Sequence, residues 1–134
     1  MYNVIVADDE KNIREGIVEL IEWEKLGCKV CASMQNGAQV LKYLEEEKIH
    51  VDIIITDIKM PIMDGMELIG MLNERFPDIK VIILTAYSDF TYAQQAIKFQ
   101  VSDFVVKNDF FLELPRACLK NKNCTKRMFH FPFS

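Results

Sequence analysis

Long apolar runs, a disulfide-scaffold density of cysteine and a surplus of positive charge are all missing from this chain, and each absence excludes a class of protein. No uninterrupted apolar stretch in the 134 residues approaches the roughly 20 that a membrane-spanning helix needs. The opening Met1-Tyr2-Asn3-Val4 lacks the basic-then-apolar pattern of a secretion signal. Four cysteines are far below the density of a disulfide-stapled secreted domain, so reduced thiols are expected. Together these point to a soluble cytoplasmic protein. The residues up to Pro115 hold all 20 acidic side chains against 11 basic ones, a balance of −9, whereas Arg116 onward holds five basic residues and no acidic one. Non-specific affinity for nucleic acid comes mainly from Lys and Arg neutralising phosphates, so this acidic body is not expected to bind DNA directly.

Apolar material for a core is plentiful. Half of the residues are hydrophobic, and a chain of this length is one ordinary domain with a single core. Tyr2 to Ala7 (YNVIVA) reads as a buried strand stopping at Asp8-Asp9-Glu10. Ile13, Ile17, Leu20 and Ile21 then recur at helical spacing. After Trp23 to Gly27 a second strand is expected over Cys28 to Met34, and Asn36-Gly37 opens a helix with Val40, Leu41 and Leu44 on one face. The third unit joins Val51 to Thr56, a loop punctuated by Pro61 and Asp64-Gly65, and a helix carrying Leu68, Ile69 and Leu72. That helix should end near Phe76, which precedes a proline. A fourth strand over Lys80 to Leu84 leads to a helix aligning Phe90, Ala93 and Ile97, and a fifth strand covers Asp103 to Val106. A last helix is expected over Asp109 to Leu119, with Pro115 tolerated only in its first turn.

Five strand-then-helix units with short connections predict an α/β domain, a parallel sheet covered by helices on both faces. In such open sheets the site lies outside the carboxyl ends of the strands. Those ends carry Asp8 and Asp9, Asp57, Thr85 and Lys107. Three carboxylates in one crevice repel one another unless a cation joins them, and magnesium suits oxygen donors that leave room for water and phosphate. With charge neutralised, Asp57 could attack a phosphoryl group and become an aspartyl-phosphate. Lys107 would pair with phosphoryl oxygens and the Thr85 hydroxyl would bond one of them. Singly, each residue has an ordinary alternative: an Asp after a strand caps a helix or forms a turn, and a Lys at a strand end is solvated. Their occurrence at the ends of one expected sheet favours a shared site.

The motifs VIVADDE (Val4 to Glu10), DIIITDIKMPIMDG (Asp52 to Gly65), ILTAYSD (Ile83 to Asp89) and DFVVK (Asp103 to Lys107) closely resemble the receiver domain of two-component response regulators. The resemblance runs in order from Val4 to about Leu119. It implies a doubly wound, flavodoxin-like sheet of five parallel strands in the order 2-1-3-4-5 with five helices. It also implies that Asp57 is the phosphoacceptor and that Asp8, Asp9, Asp57 and the main-chain carbonyl of Lys59 hold Mg²⁺. By the same resemblance Thr85 and Lys107 are switch residues, with Phe104 in the aromatic switch position. The implied partner is a sensor histidine kinase, and a homodimer through the surface of the fourth helix and fifth strand is possible in the family. Trp23 to Gly27 is similar to receivers of AraC/YesN-type regulators, which implies transcription regulation through a DNA-binding domain that this chain does not contain. On these grounds residues 1–119 are expected to form the receiver, catalysing only its own phosphorylation and dephosphorylation, and residues 120–134 an atypical tail that is truncated or non-native.

The family pattern is not met everywhere. Asn108 follows Lys107 where most members have proline, so a trans peptide and a differently shaped loop are expected. Phe104 replaces the commoner tyrosine, and plain core filling is an equal reading of it. Cys28 and Cys31 form a CxxC, but positions i and i+3 of a strand face opposite ways, which argues against a redox or metal pair. Cys118, Cys124 and His130 match no compact zinc site. Met60, Met63, Met66 and Met71 read as adaptable packing and His50 as a surface turn residue. A phosphoester hydrolase working through an aspartyl-phosphate is disfavoured because Lys59 stands where such enzymes carry a second carboxylate. A pseudo-receiver that is never phosphorylated is the other alternative.

Overall fold

The computed structural model describes residues 1–86, 94 and 101–122. Its centre is a sheet of five parallel strands, β1 (Tyr2–Ala7), β2 (Cys28–Met34), β3 (Ile53–Asp57), β4 (Lys80–Thr85) and β5 (Asp103–Val106), in the order β2-β1-β3-β4-β5. The helices are α1 (Lys11–Leu20), α2 (Gly37–Glu46), α3 (Gly65–Arg75) and α4 (Phe110–Lys122). Phe90, Ala93 and Ile97, which carry the expected fourth helix, lie outside the described residues, so four α-helices are described where five were expected.

The continuous Val and Ile runs form strands because both faces of the sheet are covered. Ile5, Ala7, Ile54, Val81 and Ile83 face one layer, where α2 and α3 contribute Val40, Leu41, Leu68, Ile69 and Leu72. Val4, Val6, Ile53, Ile55, Ile82 and Leu84 face the other, built from Ile17 of α1, Trp23, Leu26, and Leu114, Ala117 and Cys118 of α4. Trp23 and Leu26 belong to a 3-10 turn over Trp23–Leu26, and the buried Trp23 indole donates to the Ile17 carbonyl at 3.1 Å.

Cys28 packs in the α1/α4 layer and Cys31 against the α2/α3 layer, so the CxxC points to opposite faces as expected. The β1–β2 register shifts between Val4 and Ile5, whose partners are Val30 and Ala32. Cys31 is the extra residue at that bulge.

Two local expectations fail. Leu20, placed on the apolar stripe of α1, is 58% exposed, because α1 ends there and the extended cap at Ile21 turns Ile21 into the core instead. Pro115 lies inside α4, not in its first turn, and the helix runs on to Lys122. Proline deletes one helical hydrogen bond and costs about 3 kcal/mol. Burial of Leu114, Ala117 and Cys118, two of them fully, holds the segment helical across it.

Candidate functional site

The order of strands places the crossover between β1 and β3, whose connections leave toward opposite edges. A crevice opens at their carboxyl ends. Asp8 directly follows β1 and Asp57 is the last residue of β3, so both side chains leave the sheet at this rim. Lys107 opens a short 3-10 turn (Lys107–Asp109) after β5 and reaches back across the rim. There is no cis peptide among the described residues, in line with the expectation for Lys107-Asn108.

The Lys107 ammonium is nearly buried and has three carboxylate partners. It donates to Glu10 Oε1 at 2.6 Å, to Asp57 Oδ2 at 2.9 Å and to Asp8 Oδ1 at 3.4 Å. Asp8 Oδ2 is closer to Lys107 Nζ, at 3.1 Å, but lacks hydrogen-bond geometry and remains a buried acceptor with no donor. Main-chain amides supply the rest: Glu10 N–H donates to Asp8 Oδ1 at 2.8 Å, and Ile58 N–H to Asp57 Oδ1 at 2.7 Å.

Asp8 is fully buried, and that desolvation lifts its carboxyl from 3.8 to about 6, against the pull of the Glu10 amide and Lys107 and with added repulsion from Asp57. Burial likewise raises the Asp57 carboxyl, opposed chiefly by its hydrogen bond and ion pair with Lys107. Burial alone would lower Lys107, but its bonds to Glu10 and Asp57 and the charges of Asp57 and Asp8 outweigh this and hold it firmly protonated.

Asp8, Asp9 and Asp57 offer oxygen atoms that all lie within 4.8 Å of one another, a cluster able to hold a metal ion. The donor set fits a hard divalent cation, which takes carboxylate oxygens. So does Asp8 Oδ2, a buried acceptor that lies beside the Lys107 ammonium but receives no hydrogen bond among the described residues.

The remaining expected residues are more dispersed. Thr85 ends β4 and is buried, and its hydroxyl donates to the Ala86 carbonyl at 3.1 Å, not to Asp57. Phe104 is half-buried, pairs in register with Ile83 and packs against the α2/α3 layer, so it does serve as core material. Lys59 is exposed, two residues beyond Asp57. Glu10 was not singled out from the sequence although it completes the acidic triplet after β1. Only the fold brings it to Lys107, 97 residues away.

Of the residues set aside, Cys118 is core, while Cys124 and His130 lie outside the described residues. His50 is exposed and sits 3.1 Å from Asp52, and Met60 is buried beside the half-buried Met63, Met66 and Met71. None of the described helices is long and apolar enough to cross a membrane.

A family model described as the response regulator receiver domain matches residues 4–115. A transcriptional regulatory protein of Bacillus subtilis, YesN, is 38% identical over 107 residues, which cover 80% of this chain and 28% of that protein. The transcriptional regulatory protein HptR of Staphylococcus aureus is 32% identical over 107 residues, 80% of this chain and 41% of the relative. The chain thus spans well under half the length of these curated relatives. Among solved structures, the REC domain of AraT, a response regulator from Geobacillus stearothermophilus, superposes with a TM-score of 0.79 at 35% identity, covering 90% of this chain and 95% of that one. A DNA-binding response regulator of the LuxR family from Staphylococcus aureus gives 0.80 at 29% identity, covering 92% of this chain and all of that one.

Proposed function

Since the chain belongs to the response regulator receiver domain family, we propose that it accepts a phosphoryl group on Asp57 from the phosphohistidine of a sensor histidine kinase. The observation that carries this is a buried ammonium held 2.9 Å from Asp57 Oδ2, beside a three-carboxylate cluster that fits a hard cation. An Asp57 carboxylate oxygen attacks phosphorus, the bond from phosphorus to the donor's imidazole nitrogen breaks, and its electron pair returns to that ring. Asp8, Asp9, Asp57 and the main-chain carbonyl of Lys59 would hold Mg²⁺, which when bound supplies positive charge against the clustered carboxylates and the incoming phosphoryl oxygens.

Lys107 already points at the reacting carboxylate and passes to a phosphoryl oxygen as a charge-assisted hydrogen bond. Thr85 would exchange its Ala86 carbonyl for a phosphoryl oxygen through a movement of the end of β4. That movement frees space near Phe104, and the surface of β5 with the helix expected over Phe90 to Ile97 changes shape, favouring a homodimer. The chain's chemistry is confined to its own Asp57. Its output is transcription regulation, exerted in the cytoplasm through a DNA-binding domain of the full-length protein and not by direct DNA contact from this acidic unit. We assign residues 1–119 to the receiver and 120–134 to a tail that begins in the last turn of α4.

Incubation with acetyl phosphate and Mg²⁺ followed by intact mass tests this. One phosphoryl addition is expected for the native chain and none for Asp57→Asn. Turnover of external phosphoesters would point instead to a hydrolase, and no adduct under any condition to a pseudo-receiver.

A further inference from the structure

Residues 58–64, which follow Asp57 and lead into α3, form a loop closed tightly on itself. Gly65 N–H donates to the Ile58 carbonyl at 2.6 Å. Gly65 lies so close to the strand that any Cβ there would overlap the Asp57 carbonyl oxygen and come within 2.8 Å of Ile58 Cα. Both ends of the loop are therefore pinned beside the phosphoacceptor.

Its middle is strained. Met63 N–H donates to the Pro61 carbonyl at 2.7 Å, which makes Pro61-Ile62-Met63 a γ-turn, and Ile62 at its centre has φ 68°. This is the rare, strained form of that turn, and a β-branched residue in the left-handed region is an outlier. Ile62 is 82% exposed, so packing of its own side chain does not hold it there. The restraint must come from its neighbours.

One such neighbour is the first residue of α2. Gly37 N–H donates to the Met63 carbonyl at 2.9 Å. A Cβ on Gly37 would stand 2.9 Å from Met63 Cγ, 3.0 Å from the Met63 carbonyl oxygen and 3.1 Å from Cβ of the fully buried Leu68. The thioether chain can yield, but the carbonyl and Leu68 have little room. Nor can α2 retreat freely: Val40 and Leu41 are buried in the core, and its first turn is capped by the buried Asn36, whose Oδ1 accepts the Gln39 amide at 2.9 Å.

We propose that Gly37 is a positioning residue for phosphorylation. Lacking a side chain, it lets the capped N-terminus of α2 clamp Met63, hold the strained turn at Ile62 and so keep the backbone from Ile58 to Pro61 in place beside Asp57. The proposal rests on the reading of Asp57 as phosphoacceptor. A methyl group at position 37 would displace Met63 by a few tenths of an ångström. With Ile62 unable to relax, the displacement passes along the loop to Lys59. A glycine at position 62 lets the turn absorb it.

The test uses the full chain as native, Gly37→Ala, Ile62→Gly and the double variant. It compares the maximal rate of acetyl phosphate labelling in Mg²⁺ with amide hydrogen exchange at Met63, Gly65 and the core positions Ile5 and Ile54. Gly37→Ala is expected to label about tenfold slower at saturating acetyl phosphate, with Met63 exchanging faster and the core unchanged, and the double variant to return to within about threefold of Ile62→Gly. A Gly37→Ala rate within about threefold of native overturns the proposal. So does core protection that falls in step with the rate, which is the mark of a merely structural role, and so does a double variant as slow as Gly37→Ala. If the native chain takes no label, the reading of Asp57 fails, and the exchange at Met63 still decides whether Gly37 holds the loop.

Discussion

The two ends of the parallel sheet both carry a carboxylate beside β1 and β3, and the fold treats them differently. At the amino end, Asp52 accepts the Asn3 amide at 2.7 Å, lies 3.1 Å from the exposed His50 ring and keeps partial contact with water. At the carboxyl end, Asp8 is fully buried and crowded by Asp57, and one of its oxygens is without a donor. The amino end resolves its charge locally. The carboxyl end leaves charge unresolved: its acids share one lysine from the turn after β5, and they form a cluster able to hold a metal ion. The two acids thus differ in how completely their surroundings satisfy them.

The strongest way to break this contrast is to remove the lysine. Lys107→Met leaves buried carboxylates without their cation and should cost about 3 kcal/mol in urea unfolding at pH 7.5 with chelator present. Lowering the pH should recover part of that loss, because the unpaired acids then bind protons in the native state more readily than in the unfolded one. A loss independent of pH would mean that the lysine stem, and not its charge, supports the rim.

Asp8→Asn should have a smaller effect of opposite sign. The folded carboxyl titrates near 6, above its ordinary 3.8. Between these values the native state binds the extra proton, so its ionisation removes stability as pH rises through the window. The amide escapes that loss and should stabilise the metal-free chain on the order of 1–3 kcal/mol above pH 6, with the gain fading toward pH 4. The stabilisation that Mg²⁺ confers on the native chain should shrink in the same variant, since a ligand stabilises only what it binds. At the other end of the sheet, Asp52→Asn should change stability by less than about 0.5 kcal/mol and leave phosphorylation at the native rate, because it alters only the contact with the exposed His50 ring and keeps an acceptor for Asn3.

Much of this was legible in the chain because it is written in short-range patterns. The bounds of β1, β2 and β5 follow from apolar runs ending in polar residues, and Asp8, Asp57, Thr85 and Lys107 are legible as strand-end residues. What failed depended on where the chain leaves an element and on contacts far apart in sequence. Leu20 and Ile21 fit the same helical stripe, and only the chain's exit toward Trp23 decided which of them was buried. Pro115 reads as a helix breaker until α4 is laid on the sheet. The partners of Lys107 lie 50 to 99 residues away, and the side chain chooses among several acids that local spacing treats alike.

Periodicity and the polar punctuation after each strand determined the α/β architecture and the rim on which the chemistry-bearing residues stand, because both depend on nearest neighbours along the chain. Tertiary structure alone decided which acids the lysine holds, which oxygen receives no hydrogen bond, which hydroxyl faces a carbonyl and where only a glycine fits. Those outcomes depend on distances between segments that meet only when the sheet has closed.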